Sequence, residues 1–296
     1  MNLVDLHCDT PYRIYDQKLA FDDDKLQVSS RKLFAFDSVT QIFAFWSDKR
    51  LSDQECYEAF WNMRRAFLEA LDQAHLPPQF QYYLAVEDAR LLCGNIDRLD
   101  ILHGAGVRLL TLMWHGTTLI GGACDTPYAL MPFGRQVVQR CFELGIVPDV
   151  SHASSRCIEE IGDMAVKYKR PIIASHSNAA AVTPHNRNLQ DWHFELIKNV
   201  DGIVGISMAP RHLSTGDRCS IADVIAHIEH FCSLGGENHI CLGCDFDGID
   251  ATPAGLENVE KLPRLASEMS RLGYRDELIN KIFYENAQRF LFKYVK

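Results

Sequence analysis

The fold is decided by two stretches that share one pattern, Ile146-Val-Pro-Asp-Val-Ser-His152 and Pro171-Ile-Ile-Ala-Ser-His176. In each stretch, a short apolar run ends at a serine and a histidine. A run of this length that is rich in β-branched residues predicts a buried strand. The histidine that follows would then lie at the carboxyl end of that strand.

Runs of the same kind recur along the chain, and most are separated by segments with helical periodicity. The other runs are Asn2–Leu6, Val39–Phe45, Tyr82–Val86, Val107–Met113, Gly202–Ser207 and His239–Gly243. Alternation of strand and helix predicts a parallel sheet. Eight such units in succession predict an α/β fold, a closed (β/α)8 TIM-like barrel, that occupies residues 1–296 as a single domain.

Serines at three places are positioned to cap predicted helices. Ser52 is followed by acidic residues in the first turn, which suits the positive end of a helix dipole. Ser154 or Ser155 would cap the helix after the fifth run, and Ser220 the helix before the eighth.

Two helical segments are predicted after the last run, at Glu257–Leu272 and Asp276–Tyr294. They either cover a face of the barrel or form the contact of a homodimer. Their aromatic residues are expected to pack in the core, and these are Phe283, Tyr284, Phe290, Phe292 and Tyr294.

The composition argues against several classes of protein. The chain has 39 acidic and 30 basic residues, a net charge of −9, so it is a poor candidate for nucleic acid or an anionic membrane surface. No apolar run approaches the ~20 residues of a membrane span, and no secretory signal precedes the first run. The ten cysteines lie within apolar stretches, and we expect reduced thiols in a cytoplasmic protein.

Ionisable side chains that can bind a metal follow five of the eight runs. Because the carboxyl ends of barrel strands form one mouth, these side chains should converge there. His7 and Asp9 are two residues apart after the first run, so they can face the same way and hold one ion. Glu87 after the third run can bind one ion or bridge two. His152 and His176 add the neutral nitrogen ligands that zinc prefers.

Asp245, the first acid after the eighth run, can serve as a proton shuttle or as an extra ligand. The donor set is too large for one tetrahedral zinc. It suits two ions ~3.5–4 Å apart that share a carboxylate and a hydroxide, which predicts metal-assisted hydrolysis. Arg187 follows the sixth run closely enough to reach the mouth. It would either clamp a substrate carboxylate or serve as a structural arginine.

Taken together, these motifs resemble the membrane (renal) dipeptidase family, binuclear zinc peptidases of the metal-dependent hydrolase barrel superfamily. The matching features run from the His-x-Asp at His7 to the Gly-x-Asp-Phe-Asp-Gly that ends at Gly248. They include Glu87, the two Ser-His pairs, and the Arg-Asn at Arg187. The resemblance implies a dipeptidase that also tolerates a D-residue at the C-terminal position, and some members open β-lactam rings.

The resemblance also implies a role for each site residue. His7 and Asp9 would hold one Zn²⁺, and His152 and His176 would hold the second. Glu87 would bridge the two, with the attacking hydroxide held between them. In the same way, Asp245 would handle the proton of the attacking water and of the leaving amine. Arg187 would bind the C-terminal carboxylate of the substrate.

The chain departs from the family pattern after the fourth run. Family members such as the mammalian enzyme carry a histidine there that contacts the substrate, whereas here Trp114 occupies that position and His115 follows it. Trp114 can shape the pocket but lacks the charge of that histidine. His115 either substitutes for it or is an ordinary loop residue. The chain also lacks the secretory and lipid-anchor ends of the mammalian protein, so we expect no membrane attachment.

Three hypotheses follow. The first is a zinc-dependent dipeptidase. The second keeps the metal site but takes N-acyl amino acids or lactams, because fold and metal do not decide substrate. The third is a barrel that has lost activity and acts as a binding protein. All six metal-site positions are filled, which favours the two enzymes.

Overall fold

The computed structural model describes residues 1–216 and 218–295. Within them, eight parallel strands close into a barrel in chain order, which confirms the predicted fold. The strands are β1 Asn2–Cys8, β2 Ser38–Trp46, β3 Phe80–Glu87, β4 Val107–Thr111, β5 Val147–Asp149, β6 Ile173–Ala174, β7 Ile203–Ile206 and β8 Ile240–Leu242. Each predicted run overlaps one strand.

Helices surround the barrel and connect the strands. They are α1 Thr10–Gln17, α2 Ser30–Leu33, α3 Asp53–Asp72, α4 Asp97–Gly104, α5 Pro132–Leu144, α6 Ser155–Tyr168, α7 Asp191–Asn199, α8 Pro210–Leu213, α9 Ile221–Ser233, α10 Pro263–Arg271, α11 Asp276–Asn280 and α12 Asn286–Tyr294. A π-helical turn, Lys281–Glu285, joins the last two. No helix of the described residues combines the length and apolar character needed to cross a bilayer.

The predicted serine caps are confirmed. Ser52 forms a reciprocal capping box with Glu55 at the start of α3. The side chain of Ser154 accepts a hydrogen bond from the first turn of α6, and Ser220 forms a box with Asp223 before α9. Each cap satisfies amide groups that have no partner within the helix.

The amino end of the barrel is closed by α12. Its Phe290 and Leu291 pack against interior side chains such as Val4 and Leu6 of β1. Asn286 donates hydrogen bonds to the carbonyl oxygens of Glu237 and Ile240, both at 2.8 Å, at the start of β8. The C-terminal segment therefore covers the end of the barrel opposite the strands' carboxyl ends.

Two details of this segment differ from the prediction. The first C-terminal helix begins at Pro263 and not at Glu257, because proline lacks the amide a helix interior requires and is suited to the first turn. Phe292 is 86% exposed and not in the core. It lies two residues from Phe290, and that spacing turns it to the opposite face of α12.

Candidate functional site

The carboxyl ends of β1, β3, β5, β6 and β8 bring the predicted ligands into one cluster. Three overlapping sets have ligand atoms within 4.8 Å of one another. The sets are His7, Asp9 and Glu87; then Glu87, His152 and His176; and finally His7, His176 and Asp245. All three sets belong to the mouth of the barrel, where the strand topology predicted a site.

Glu87 is the centre of the cluster because its two oxygens face different partners. Oε1 lies 2.9 Å from Nε2 of His152 and 3.4 Å from Nε2 of His176. Oε2 lies 3.6 Å from Nε2 of His7. Nε2 of His7 in turn lies 3.4 Å from a carboxylate oxygen of Asp9. One carboxylate thus joins two groups of donors.

Local backbone irregularities aim several of these side chains. The register of β1 against β2 shifts between Asp5 and Cys8, a bulge that allows His7 to face the mouth while its neighbour Leu6 packs in the barrel interior. His152 and Asp245 both have left-handed backbone, with φ of 67° and 64°. Left-handed residues other than glycine are uncommon and cluster at functional sites.

Most of the predicted ligands are buried, and two of their atoms lack a hydrogen-bond partner among the described residues. His7, Asp9 and Glu87 are at most 5% exposed. Among the described residues, Nε2 of His7 and Oδ1 of Asp9 have no hydrogen-bond partner. Buried polar atoms without partners are costly, and a cation held among them would remove that cost.

The crowding of acids perturbs their ionisation. Burial, reinforced by Glu87, raises the pKa of Asp9 to about 6. Burial alone would raise the pKa of Glu87, but His7 and the hydrogen bonds from His152 and His176 outweigh it and hold that pKa well below its usual range. Glu87 therefore stays ionised at lower pH than its neighbour Asp9, and a metal ligand must be ionised.

A cavity of about 760 Å³ opens onto the cluster. Arg187, Trp114, His115 and Asp245 all contribute to its wall. Arg187 is only 8% exposed, and its Nη2 donates to the carbonyl oxygen of His176 at 3.2 Å. Within the described chain, its Nε has no hydrogen-bond partner. A buried guanidinium with free donor capacity is suited to an anionic group of a ligand.

Trp114 and His115 differ in their surroundings. The indole of Trp114 lies edge-on to Trp46, 5.1 Å between ring centroids, and its carbonyl oxygen lies 3.1 Å from Nδ1 of His152. His115 is about half exposed, and its Nδ1 lies 2.9 Å from Asp125. Trp114 therefore contacts a predicted ligand, His152, whereas His115 is paired with Asp125 at the outer rim of the cavity.

The sequence analysis assigned no role to the residues behind the predicted ligands. Ser175 and Asp149 lie directly beneath the imidazoles and are buried. The sequence did contain an indication for Asp149, which is a charged residue inside an apolar run. An acid in such a run is rarely buried without partners. Tyr12 and Trp46, which line the cavity, carried no comparable signal.

Gly248 lies so close to the cluster that a side chain there would disturb it. A Cβ at this position would lie 2.1 Å from Oδ2 of Asp9 and 2.8 Å from Oδ1 of Asp245. We expect Gly248→Ala to weaken binding of divalent metal by roughly 10-fold or more without unfolding the barrel, because the displaced groups are the carboxylates of a predicted ligand, Asp9, and of its neighbour Asp245. Chelator competition and thermal unfolding measure the two effects.

Gly104→Ala is the matched control for this substitution. Gly104 lies at the end of α4, and a Cβ at this position would have no atom within 4 Å, so its substitution should leave metal affinity unchanged. Equal metal affinity of Gly248→Ala and the wild type would contradict the packing argument.

Comparison with known proteins gives three related findings. A family model described as membrane dipeptidase (peptidase family M19) matches residues 1–295. The dipeptidase aclJ of Aspergillus oryzae is 33% identical over 212 residues, 69% of this chain and 50% of the relative. The dipeptidase tcpJ of Claviceps purpurea is 33% identical over 214 residues, 70% of this chain and 49% of the relative. The chain spans about half the length of these curated relatives.

A solved structure shares the whole fold. It is a metallo peptidase from Rhodobacter sphaeroides liganded with a phosphinate mimic of the dipeptide L-Ala-D-Ala. The TM-score is 0.89, with 23% sequence identity, and the match covers 99% of both chains. At this identity the likeness concerns the fold.

Proposed function

The chain belongs to the membrane dipeptidase family, peptidase family M19, and from this premise we propose that it is a zinc-dependent dipeptidase with two Zn²⁺ ions per chain. The observation that carries the proposal is the position of Glu87 between two groups of donors. His7 and Asp9 would hold one ion, His152 and His176 the other, and Glu87 would bridge them. Imidazole nitrogens with carboxylate oxygens are the donor chemistry of catalytic zinc.

The donor set fits this assignment on charge and on partners. Three largely buried carboxylates, those of Asp9, Glu87 and Asp245, lie near the buried guanidinium of Arg187, and two ligand atoms have no hydrogen-bond partner among the described residues. Two divalent cations would neutralise the acids and satisfy those atoms. When bound, the ions would supply a water of lowered pKa and a Lewis acid for the scissile carbonyl.

Asp245 would move the proton during the reaction. Its Oδ1 lies 3.9 Å from Nε2 of His7, and its side chain is 14% exposed, so it borders both the ligands and the cavity. From that position its carboxylate can accept a proton from the attacking water and return it to the leaving amine.

Arg187 would select substrates with a free C-terminal carboxylate. Its guanidinium lies in the cavity wall within reach of the cluster, since it donates to the carbonyl oxygen of His176. Ion pairing at that point would orient the peptide bond toward the ligands and restrict the substrate to a short peptide.

Trp114 supports a second candidate, an amidohydrolase acting on N-acyl amino acids or lactams. The indole, together with Trp46, presents an apolar wall where the family's histidine would present a polar group. An acyl group carries no amine charge, and such a wall can accept it. The free carboxylate and its contact with Arg187 would be the same in both candidates.

The decisive experiment is hydrolysis by zinc-loaded protein of a panel of L-L and L-D dipeptides, N-acetyl amino acids and a β-lactam. We expect cleavage of dipeptides and a fall in kcat of at least about 100-fold in Asp245→Asn, which lacks the proton-accepting oxygen. Asp250→Asn at the exposed cavity rim is the matched control and should stay near wild type. Bound zinc without turnover of any dipeptide would contradict the dipeptidase proposal and favour the second candidate if the acyl substrates are cleaved.

A further inference from the structure

A single hydroxyl group lies beneath both halves of the metal cluster. Oγ of Ser175 is 2.8 Å from Nδ1 of His176 and 3.3 Å from Nδ1 of His7. In the proposed function these imidazoles would hold different ions, and both present Nε2 to the carboxylate of Glu87. Ser175 is 2% exposed, so no bulk water competes for these contacts.

The hydroxyl itself is directed by a buried carboxylate. Oγ of Ser175 donates to Oδ2 of Asp149 at 2.5 Å, a length typical of a hydroxyl bonded to a carboxylate. Thr111 Oγ1 donates to the same oxygen at 2.6 Å. The amides of Ser151 and Ser175 both donate to Oδ1 at 2.9 Å. Asp149 is 1% exposed and accepts four hydrogen bonds, the pattern of an ionised carboxylate.

We propose that Asp149 and Ser175 are positioning residues that set the tautomer of two metal-ligand imidazoles at once. The proposal rests on the metal site described under the proposed function. With the Ser175 proton committed to Asp149, Oγ can only accept from the imidazoles. His7 and His176 must then carry their proton on Nδ1, which leaves the lone pair of Nε2 free for a metal.

The third imidazole provides an internal reference. Nδ1 of His152 lies 3.1 Å from the carbonyl oxygen of Trp114, and a carbonyl can only accept. Its tautomer is therefore set without Asp149. The carbonyl oxygen of Trp114 and the hydroxyl of Ser175 thus both favour a proton on Nδ1. A side-chain substitution at Asp149 can reverse the hydroxyl, whereas no substitution can turn a carbonyl oxygen into a hydrogen-bond donor.

Asp149→Asn should reverse the direction of the relay. The Asn oxygen can keep accepting from the two backbone amides, which places its NH₂ group against Oγ of Ser175. Ser175 must then accept from Asn, and its own proton turns to Nδ1 of His176 or His7. The imidazole that accepts this proton is forced to carry its own proton on Nε2, at the atom that should bind the metal. Because one ligand imidazole then carries a proton in place of its metal-binding lone pair, we expect Zn²⁺ affinity to fall roughly 100-fold.

Removing the hydroxyl should partly repair this defect. Ser175→Ala leaves the imidazoles without an anchor but imposes no wrong tautomer, so we expect only a roughly 10-fold loss of Zn²⁺ affinity. In Asp149→Asn/Ser175→Ala the misdirected proton donor is gone. The double variant should therefore bind Zn²⁺ about 10-fold more tightly than Asp149→Asn alone. A purely structural role for Asp149 would make the double variant the weakest.

The experiment measures Zn²⁺ affinity by chelator competition. Long-range ¹H–¹⁵N NMR of the metal-free protein, at a pH high enough for the imidazoles to be neutral, reports their tautomers. Asp149→Asn should move His7 or His176 to the Nε2–H tautomer while His152 keeps Nδ1–H. Thr111→Val removes the other hydroxyl donor to Asp149, and its Zn²⁺ affinity should stay within about 3-fold of that of the wild type. Thermal unfolding of each metal-free variant monitors folding, and if Asp149→Asn does not fold, the tautomers and affinity of Ser175→Ala carry the test.

Retention of Nδ1–H on both imidazoles in Asp149→Asn would overturn the proposal, and so would a double variant weaker than Asp149→Asn. An unchanged Zn²⁺ affinity of Ser175→Ala would also overturn the proposal. None of these readouts depends on turnover. A protein that binds zinc through this relay but cleaves no dipeptide would therefore refute the proposed substrate and leave the positioning role intact.

Discussion

Glu87→Gln is expected to lower kcat/KM by at least roughly 10³-fold and to reduce the zinc content from two ions per chain to one or fewer. The carboxylate of Glu87 faces His152 with one oxygen and His7 with the other. A glutamine amide offers only one acceptor oxygen, and its NH₂ group repels a cation. Whichever way the amide turns, one of the two groups of proposed metal ligands loses the shared oxygen and faces the NH₂ group in its place.

Metal analysis of dialysed protein, together with dipeptide turnover at saturating zinc, tests this expectation. Glu277→Gln is a suitable control because it makes the same chemical change on α11, where Glu277 is 64% exposed and paired with Lys281. Such surface pairs contribute little, so the control should match wild type. A Glu87→Gln protein that keeps two ions and near-normal turnover would refute the bridging role.

The barrel and the ligand cluster could be predicted because one rule relates them to the sequence. Each strand is an apolar run, and in a barrel all strands end at the same mouth. An ionisable residue after a run, such as Glu87 or His176, is thereby assigned to the site without any knowledge of side-chain packing. The rule needs only the order of residues along the chain, which is why residues far apart in sequence could be grouped.

Features that depend on neighbours in space could not be predicted in this way. The bulge in β1 that aims His7 reflects the register of β1 against β2. The relay through Ser175 requires β5 and β6 to lie side by side, with Asp149 directly opposite Ile173. The residue type of Phe292 predicts a place in the core, although its position on the outer face of α12 is set by where Phe290 docks.

Glycines in the last strands carry a second spatial constraint of this kind. A Cβ at Gly205 would lie 2.0 Å from the carbonyl oxygen of Ser175, and one at Gly243 would lie 1.7 Å from it. Because Gly205 in β7 and Gly243 directly after β8 have no side chain, the backbone of Ser175 can approach closely. The position of the Ser175 hydroxyl beneath His7 and His176 thus depends on Gly205 and Gly243. Neither glycine lies on the strands that carry these two histidines.

Arg187→Met is expected to remove the preference for a free C-terminal carboxylate. In the wild type, we expect dipeptides to be cleaved roughly 10³-fold faster in kcat/KM than the corresponding dipeptide amides, because a buried guanidinium left without its anion is costly. Methionine fills a similar part of the buried volume but offers no charge or donor. Turnover of free dipeptides should fall by about that factor, while turnover of the amides should change little.

The ratio of the two substrates is the informative quantity, since it cancels any general damage to the barrel. Displacement of the metal ligands would slow the cleavage of free dipeptides and of dipeptide amides alike. Loss of the contact between Arg187 and the substrate carboxylate would slow only the cleavage of free dipeptides. Arg211→Met makes the same change at an exposed residue of the cavity wall and should keep the wild-type ratio, with a small effect on association at low salt. If Arg187→Met slowed free dipeptides and amides equally, Arg187 would act by holding the carbonyl of His176 in place. The selection of short peptides would then have to come from the shape of the cavity.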